Sequence, residues 1–166
     1  MDLDRRTFFT AATALLVAPA LAPRVFAAEA PAIAALDKSQ LVYICPTLAD
    51  GSDSRCQAEV WFVHFDDDVF VCTSAKAWRA RAVARGLARA RMWVGEFGVW
   101  KQSDGAYLSA PHMHVEGRLE NDTAVQARAL EAFGAKYSEE WGSWGPRFRD
   151  GLADGSRVLL HYRPLA

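Results

Sequence analysis

The 166-residue chain is short of the features that assign a protein quickly. It has three cysteines and no Cys-x-x-Cys pair, so no structural-zinc spacing is present. It carries no nucleophile elbow or other acyl-transfer signature. There is no internal repeat, and no low-complexity tract beyond an alanine-rich leader. Nor is there an excess of one charge: 19 basic and 20 acidic residues leave a net of −1, which gives no whole-molecule attraction to nucleic acid. The uncharged run at residues 7–23 is broken by Pro19 and is too short for a stable membrane span.

The N-terminus has a clear order of parts. Arg5 and Arg6 stand before Thr7 and Phe8, the apolar run follows, and Val25, Phe26 and Ala27 place small residues at cleavage spacing. Residues 1–27 therefore read as a twin-arginine (Tat) signal peptide, cut after Ala27. Arg24, between the apolar run and the cut, fits that route. Asp4 departs from its pattern, which usually has Ser or Thr there. The competing reading is a buried N-terminal helix. The expectation is export through the twin-arginine translocase to the periplasm or beyond. That route carries folded proteins, often with a cofactor in place.

Removing this leader takes away three arginines and two aspartates, so 16 basic and 18 acidic residues remain. Residues 28–38 read as a tether or short lead-in helix, and residues 39–166 as one domain. Cys45, Cys56 and Cys72 are an odd number for an oxidising compartment. Cys45 and Cys56 could form a disulfide if their segments pair as a hairpin. The other reading is three half-buried thiols on strands.

Along the domain, residues 41–46, 57–65 and 69–73 are β-type, with an acidic turn at Asp66, Asp67 and Asp68. Residues 75–87 are rich in Ala and Arg and predict a helix, with Ser74 able to cap its start and Gly86 to end it. Residues 91–99 and 112–119 return to strand. Asn121 and Asp122 predict the cap of a longer helix, with Ala124, Ala127, Leu130, Gly134, Tyr137 and Trp141 on one face. A Gly- and Trp-rich loop is expected over residues 141–146. A last strand at residues 157–162 places Val158, Leu160 and Tyr162 on one side. Six strands in mostly meander order with two helices predict a mainly β fold, a small barrel with helical insertions.

Two constellations could carry chemistry on their own. Arg79, Arg81, Arg85, Arg89 and Arg91 form a basic cluster, which is either a solvated face or a phosphate site. Aromatic interleaving is too thin for nucleic acid. His112 and His114 share a face of one strand and could bind a metal or haem iron, with a third ligand from His64 or His161. The competing reading is two ordinary polar strand residues.

The ordered set of residues 41–46, Gly51, Glu59-Val60-Trp61-Phe62, residues 69–73, residues 78–86, residues 91–94 and residues 115–120 resembles the split-barrel flavin-binding superfamily that includes the pyridoxamine 5'-phosphate oxidases. The likeness covers nearly all of residues 39–164. Within that superfamily, the chain is most similar to members with Lys136-Tyr137, Trp141, Trp144 and Pro164. The resemblance implies a six-stranded split β-barrel, a homodimer, and flavin mononucleotide (FMN) or a deazaflavin in a groove between the two chains. It places the cofactor phosphate at the end of the third strand and the start of the following helix. Thr73, Ser74, Lys76, Arg79 and Arg81 supply hydroxyls and cations there. An ungapped match sets Arg79 where the family has its phosphate lysine and Ala77 where it often has serine. A register shifted by a few residues restores Ser-x-Lys with Ser74 and Lys76. The ring edge falls along the second strand, at Glu59, Val60, Trp61 and Phe62, although the last three also read as core.

The first functional expectation is a flavin-dependent oxidoreductase acting on a small-molecule substrate. The second is a non-enzymatic haem- or metal-binding protein using His112 and His114. The third is a cofactor-free interaction module.

Overall fold

The computed structural model describes residues 25–165, with side chains from residue 30 onward. The expected signal segment lies outside these residues, apart from its last three, which open the helix α1 (Val25–Leu36). Of the two readings for residues 28–38, tether or lead-in helix, the helix is what forms, through Leu36. Its Ala32 and Leu36 are buried in the barrel core.

Seven strands form one antiparallel sheet: β1 (Val42–Pro46), β2 (Ala58–Val60), β3 (Val63–Phe65), β4 (Asp68–Ser74), β5 (Arg89–Val94), β6 (His112–Glu120) and β7 (Arg157–Pro164). Their order across the sheet is β2-β1-β5-β6-β7-β4-β3. β2 and β3 lie at opposite edges, yet only Trp61 and Phe62 separate them in sequence. The sheet therefore curls until its edges are one dipeptide apart. That is a barrel split at Trp61 and Phe62. The single strand expected over residues 57–65 is thus two short strands, each paired to a different neighbour: β2 to β1 and β3 to β4.

The strand patterns follow from what covers each face. β6 alternates, with Met113, Val115 and Gly117 turned inward and His112, His114 and Glu116 outward, as a strand with one wet face should. β4 is buried on both sides almost throughout. Its Val69 and Val71 face the barrel, while Phe70 and Cys72 face two helices, α3 (Thr123–Lys136) and α4 (Ser138–Ala153). β1 is buried on both sides too. Val42 and Ile44 point into the barrel, and Tyr43 and Cys45 are covered by the segment after β5, whose Tyr107 and Ala110 pack on them. At β7, Leu160 and Tyr162 are barrel core with Val158 packed against it, as expected.

The helical region departs from expectation in three ways. Asp122 does cap α3, accepting hydrogen bonds from Ala124 N (2.8 Å) and Val125 N (3.4 Å). The buried face of α3, however, is centred on Ala129 and Phe133, with Ala124 and Ala127 exposed, so the expected stripe is rotated by about one residue. The helix also stops at Tyr137, whose backbone (φ −116°, ψ 48°) is not helical. The Gly- and Trp-rich stretch then forms α4 instead of a loop. Gly145 in this stretch and Gly134 of α3 make room for Trp141: a Cβ on Gly134 or Gly145 would lie 2.8 Å or 2.9 Å from the indole. Close packing outweighs the helix penalty of glycine, about 1 kcal/mol per residue.

Tyr137 is the clasp of the split. Its hydroxyl accepts from Phe62 N (2.9 Å), lies 2.8 Å from Phe62 O and 2.9 Å from Gln40 O, and its ring stacks on Trp61 at 4.4 Å. Phe62 is fully buried. Replacing Tyr137 by Phe should leave that backbone unpaired and destabilise the fold by about 1–3 kcal/mol, read as a lower urea midpoint. An unchanged midpoint would show that the hydroxyl contributes nothing.

A second polar knot ties three strands. His161 of β7 lies buried between Glu120 of β6 (Nδ1 to Oε2, 2.9 Å) and Asp68 of β4 (Nε2 to Oδ2, 2.5 Å). Burial alone would raise the Glu120 carboxyl. The Asp122 N–H, His161 and Arg118 together outweigh it and hold the group below its ordinary 4.5. A carboxyl lowered in the folded state adds stability above its unfolded value, and that stability is lost as pH falls through the folded value. Acid unfolding should therefore be less steep below about pH 4.5 in Glu120→Gln than in the parent chain. Superimposable acid limbs would refute this.

Candidate functional site

The expected phosphate region lies where β4 gives way to the helix α2 (Trp78–Ala84). The junction differs from expectation. Ser74 does not cap the helix. Its hydroxyl accepts from Lys76 N (3.2 Å) and its carbonyl from Ala77 N (2.9 Å), closing a tight turn, and Ala77 is the N-cap with no side-chain bond. The helix has only seven residues, three of the expected first positions having gone into the turn. So short a helix adds little dipole, and the electrostatics of the junction belong to side chains. Gly86, with φ +83°, ends the helical stretch as expected.

Among those side chains, Arg79 turns inward. Its Nη1 donates to the buried Thr73 hydroxyl at 2.7 Å. Burial pulls the Arg79 guanidinium below its ordinary value, opposed by Tyr162, Glu59 and Cys56 nearby, and an arginine so shifted is still a cation. Ser74, Lys76 and Arg81 are exposed and do not line the cleft beside Arg79. Arg85 and Arg89 of the basic cluster are likewise exposed, and Arg91 pairs with Asp53 at 3.0 Å.

That cleft holds about 350 Å³. Its cations are Arg55, Arg79 and Lys101, its aromatic walls are Trp78 and Trp100, and the stretch from Cys56 to Ala58 forms one side. Glu59 stands next to it and fixes one wall, its carboxylate accepting from Trp100 N at 3.1 Å. The other three residues of the expected ring edge point elsewhere. Val60 packs on the barrel core, Trp61 on the helices and Phe62 inside the barrel, with the Phe62 N–H and C=O both facing the Tyr137 hydroxyl. The strand break at Trp61 is the reason: it ends the edge strand one residue after Glu59. Arg55, Trp100 and Lys101 were not foreseen. Trp100 and Lys101 come from a short 3₁₀ turn (Trp100–Gln102) in the stretch between β5 and β6. The signal for it was a cluster of apolar residues, Val99, Trp100, Tyr107 and Leu108, in a segment too polar to be strand.

An arginine has five N–H donors. Among the described residues, the hydrogen bond of Arg79 goes to Thr73, so most of its donors remain for a ligand. Three cations and two indoles around one cleft suit a molecule with an anionic group and a flat ring.

The histidine pair is arranged differently. The His112 and His114 rings are 6.3 Å apart and nearly perpendicular (82°), on the outer face of β6. The expected third ligands are engaged elsewhere: His64 pairs with Asp37 at 3.1 Å, and His161 lies between its two carboxylates. Among the described residues, no group of three or more His, Cys, Asp and Glu could hold a metal ion. Cys45, Cys56 and Cys72 are free thiols. Cys45 and Cys72 are buried and Cys56 half-buried, and the Cys45 Sγ lies 3.2 Å from Ser54 O.

No protein-family model matches the chain, and no curated protein sequence does. Solved structures do resemble it. The haem-storage protein HutZ of Vibrio cholerae superimposes with a TM-score of 0.56 at 14% identity, over 80% of this chain and 87% of HutZ. A candidate pyridoxamine 5'-phosphate oxidase of Listeria innocua gives 0.53 at 16% identity, over 83% and 94%. The fold is a pyridoxamine 5'-phosphate oxidase-like split barrel. A candidate 5-nitroimidazole antibiotic resistance protein of Bacteroides thetaiotaomicron gives 0.56 at 9% identity, over 81% and 78%. Split barrels thus recur in proteins with different ligands, and at these identities the likeness extends to the fold alone.

Proposed function

We propose that the cleft beside Arg79 holds FMN or a related deazaflavin, and that the protein is an exported oxidoreductase acting on a small molecule. The observation that supports this is the state of Arg79. It is drawn into the fold, anchored by Thr73, and lines a cleft shared with two further cations and two indoles. In this reading Arg79 takes the phosphate, with Arg55 and Lys101 adding charge, and Trp78 and Trp100 flank the ring. The bound flavin would supply the redox chemistry, while the protein provides orientation and electrostatics. β2 is an edge strand, so its outer backbone groups are free for a ring edge or for the second chain of a homodimer.

The experiment adds FMN, riboflavin or hemin to the purified protein and follows absorption and flavin fluorescence. FMN should bind and be quenched. Arg79→Ala should weaken FMN by about 10- to 100-fold, the range of one charge-assisted hydrogen bond, and leave riboflavin almost unchanged. Circular dichroism checks that the variant folds. Equal FMN affinity in the two proteins would remove the phosphate assignment. A Soret band with hemin, and no response to FMN, would replace it with haem binding.

Export has its own test. Lys at positions 5 and 6 keeps the charge but not the twin-arginine pattern. Arg5→Lys with Arg6→Lys should hold the chain in the cytoplasm of a Tat-competent host. Unchanged periplasmic recovery would contradict the Tat assignment.

A further inference from the structure

The chain has fifteen arginines and only four lysines, Lys38, Lys76, Lys101 and Lys136. The first three are exposed, and Lys136 is half-buried. It ends α3, with its Nζ 3.3 Å from the centre of the Phe62 ring and 5.7 Å from that of Tyr137. Among the described residues no carboxylate comes within ion-pair distance of it. Burial pulls the amine down to about 8, against the opposing pull of Asp37 and Glu96. An arginine would stack on Phe62 at least as well and would never lose its proton. What lysine adds at this position is a neutral, nucleophilic form near neutral pH.

The amine also opens onto a groove that shares no lining residue with the Arg79 cleft. About 470 Å³ of it is walled by the apolar Leu36, Val63, Ala132 and Ala135. His64 lines the same groove, with its Nε2 3.1 Å from Asp37 Oδ1. The Phe62 ring under Lys136 is 6.4 Å from the His64 ring. Through the shared Gln40 and Lys136 the groove continues into a hollow of about 340 Å³ beside Trp61 and Tyr137. The ionisable groups around Lys136 are Asp37 after α1, His64 on β3, Glu96 after β5, and Glu139 and Glu140 on α4. They make a nucleophile, a proton carrier with its orienting carboxylate, and an apolar wall.

We propose that Lys136 condenses with a small, largely apolar carbonyl compound in this groove, and that His64, oriented by Asp37, carries the protons. The amine lone pair attacks the carbonyl carbon, and the C=O electron pair moves to oxygen. His64 passes a proton from nitrogen to oxygen. The C–O bond then breaks as the nitrogen lone pair forms C=N. Both N–H protons finish on the departing oxygen, so amine and carbonyl give imine and water without oxidant or reductant.

Reductive trapping tests this. The protein is incubated with benzaldehyde and sodium cyanoborohydride from pH 6 to 10, and labelled peptides are mapped by mass. At pH 7.5 Lys136 should label more than about tenfold faster than the three exposed lysines. Its rate should level off above about pH 8. Lys136→Arg keeps the stack on Phe62 and should remove the fast label. His64→Gln should slow the label by about tenfold or more, a proton-transfer effect, without moving the pH at which it levels off. Equal labelling of all four lysines, or a Lys136 rate that rises to pH 10, would overturn the assignment. A His64→Gln variant labelled at the parent rate would remove His64 from it. The parent's pH profile decides the main point even if a variant fails to fold.

Discussion

A sheet that curls until its two edges meet must hand the chain from one edge to the other, and the residues that cross have no ladder to join. Here the crossing residues are Trp61 and Phe62, and Phe62 is fully buried. Its N–H and C=O cannot be left bare at that depth. The Tyr137 hydroxyl meets both, and it can because the helices break at that residue. The non-helical backbone of Tyr137 aims the ring at Trp61 and the hydroxyl at the crossing. Burial raises the phenol far above its ordinary value, so it stays protonated and able to donate. Gln40 O, 2.9 Å from the hydroxyl, shares its single proton with Phe62 O and brings the chain leading into β1 to the same point. One side chain from the helical layer thus holds the split of the barrel in register.

Charge is distributed with the same economy. His161, Asp68 and Glu120 are buried together, and each has a partner, so their desolvation is offset by hydrogen bonds. Arg163 and Arg118 reach the two carboxylates from the surface (3.6 Å and 2.7 Å). Arg79 is different. It has one hydroxyl for a partner and a cleft in front of it. A cation that is complete in itself belongs to the scaffold, and one that is left incomplete beside a concave surface is where a ligand is expected.

The strands were legible because their periodicity records what covers them. β6 shows clean alternation, and the barrel side of β7 was readable residue by residue. The helices were less so. Glycine and tryptophan at residues 141–146 have turn composition, and nothing local tells that Gly134 and Gly145 are small in order to seat Trp141. The strand break at Trp61 was invisible for a similar reason: both halves are β-type, and only the three-dimensional closure sends them to different neighbours. Arg79 and Thr73 could be picked out because they lie six residues apart in one strand–helix junction. Trp100 and Lys101 could not, since the chain brings them to the cleft from another part of the sequence.

The break at Trp61 also divides the molecule's chemistry. On its N-terminal side β2 borders the Arg79 cleft, and Glu59 steadies the Trp100 wall. On its C-terminal side β3 carries His64 to the Lys136 groove, and Phe62 itself lies under the amine. Six consecutive residues, Glu59 to His64, and one bend therefore serve two recesses with opposite character. One gathers the cations Arg55, Arg79 and Lys101 beside two indoles. The other holds an amine that burial allows to become neutral. A continuous strand through residues 58–65 would keep a single neighbour along its length and could border only one of them. The same kink that lets a small barrel close gives it two distinct surfaces on which to bind.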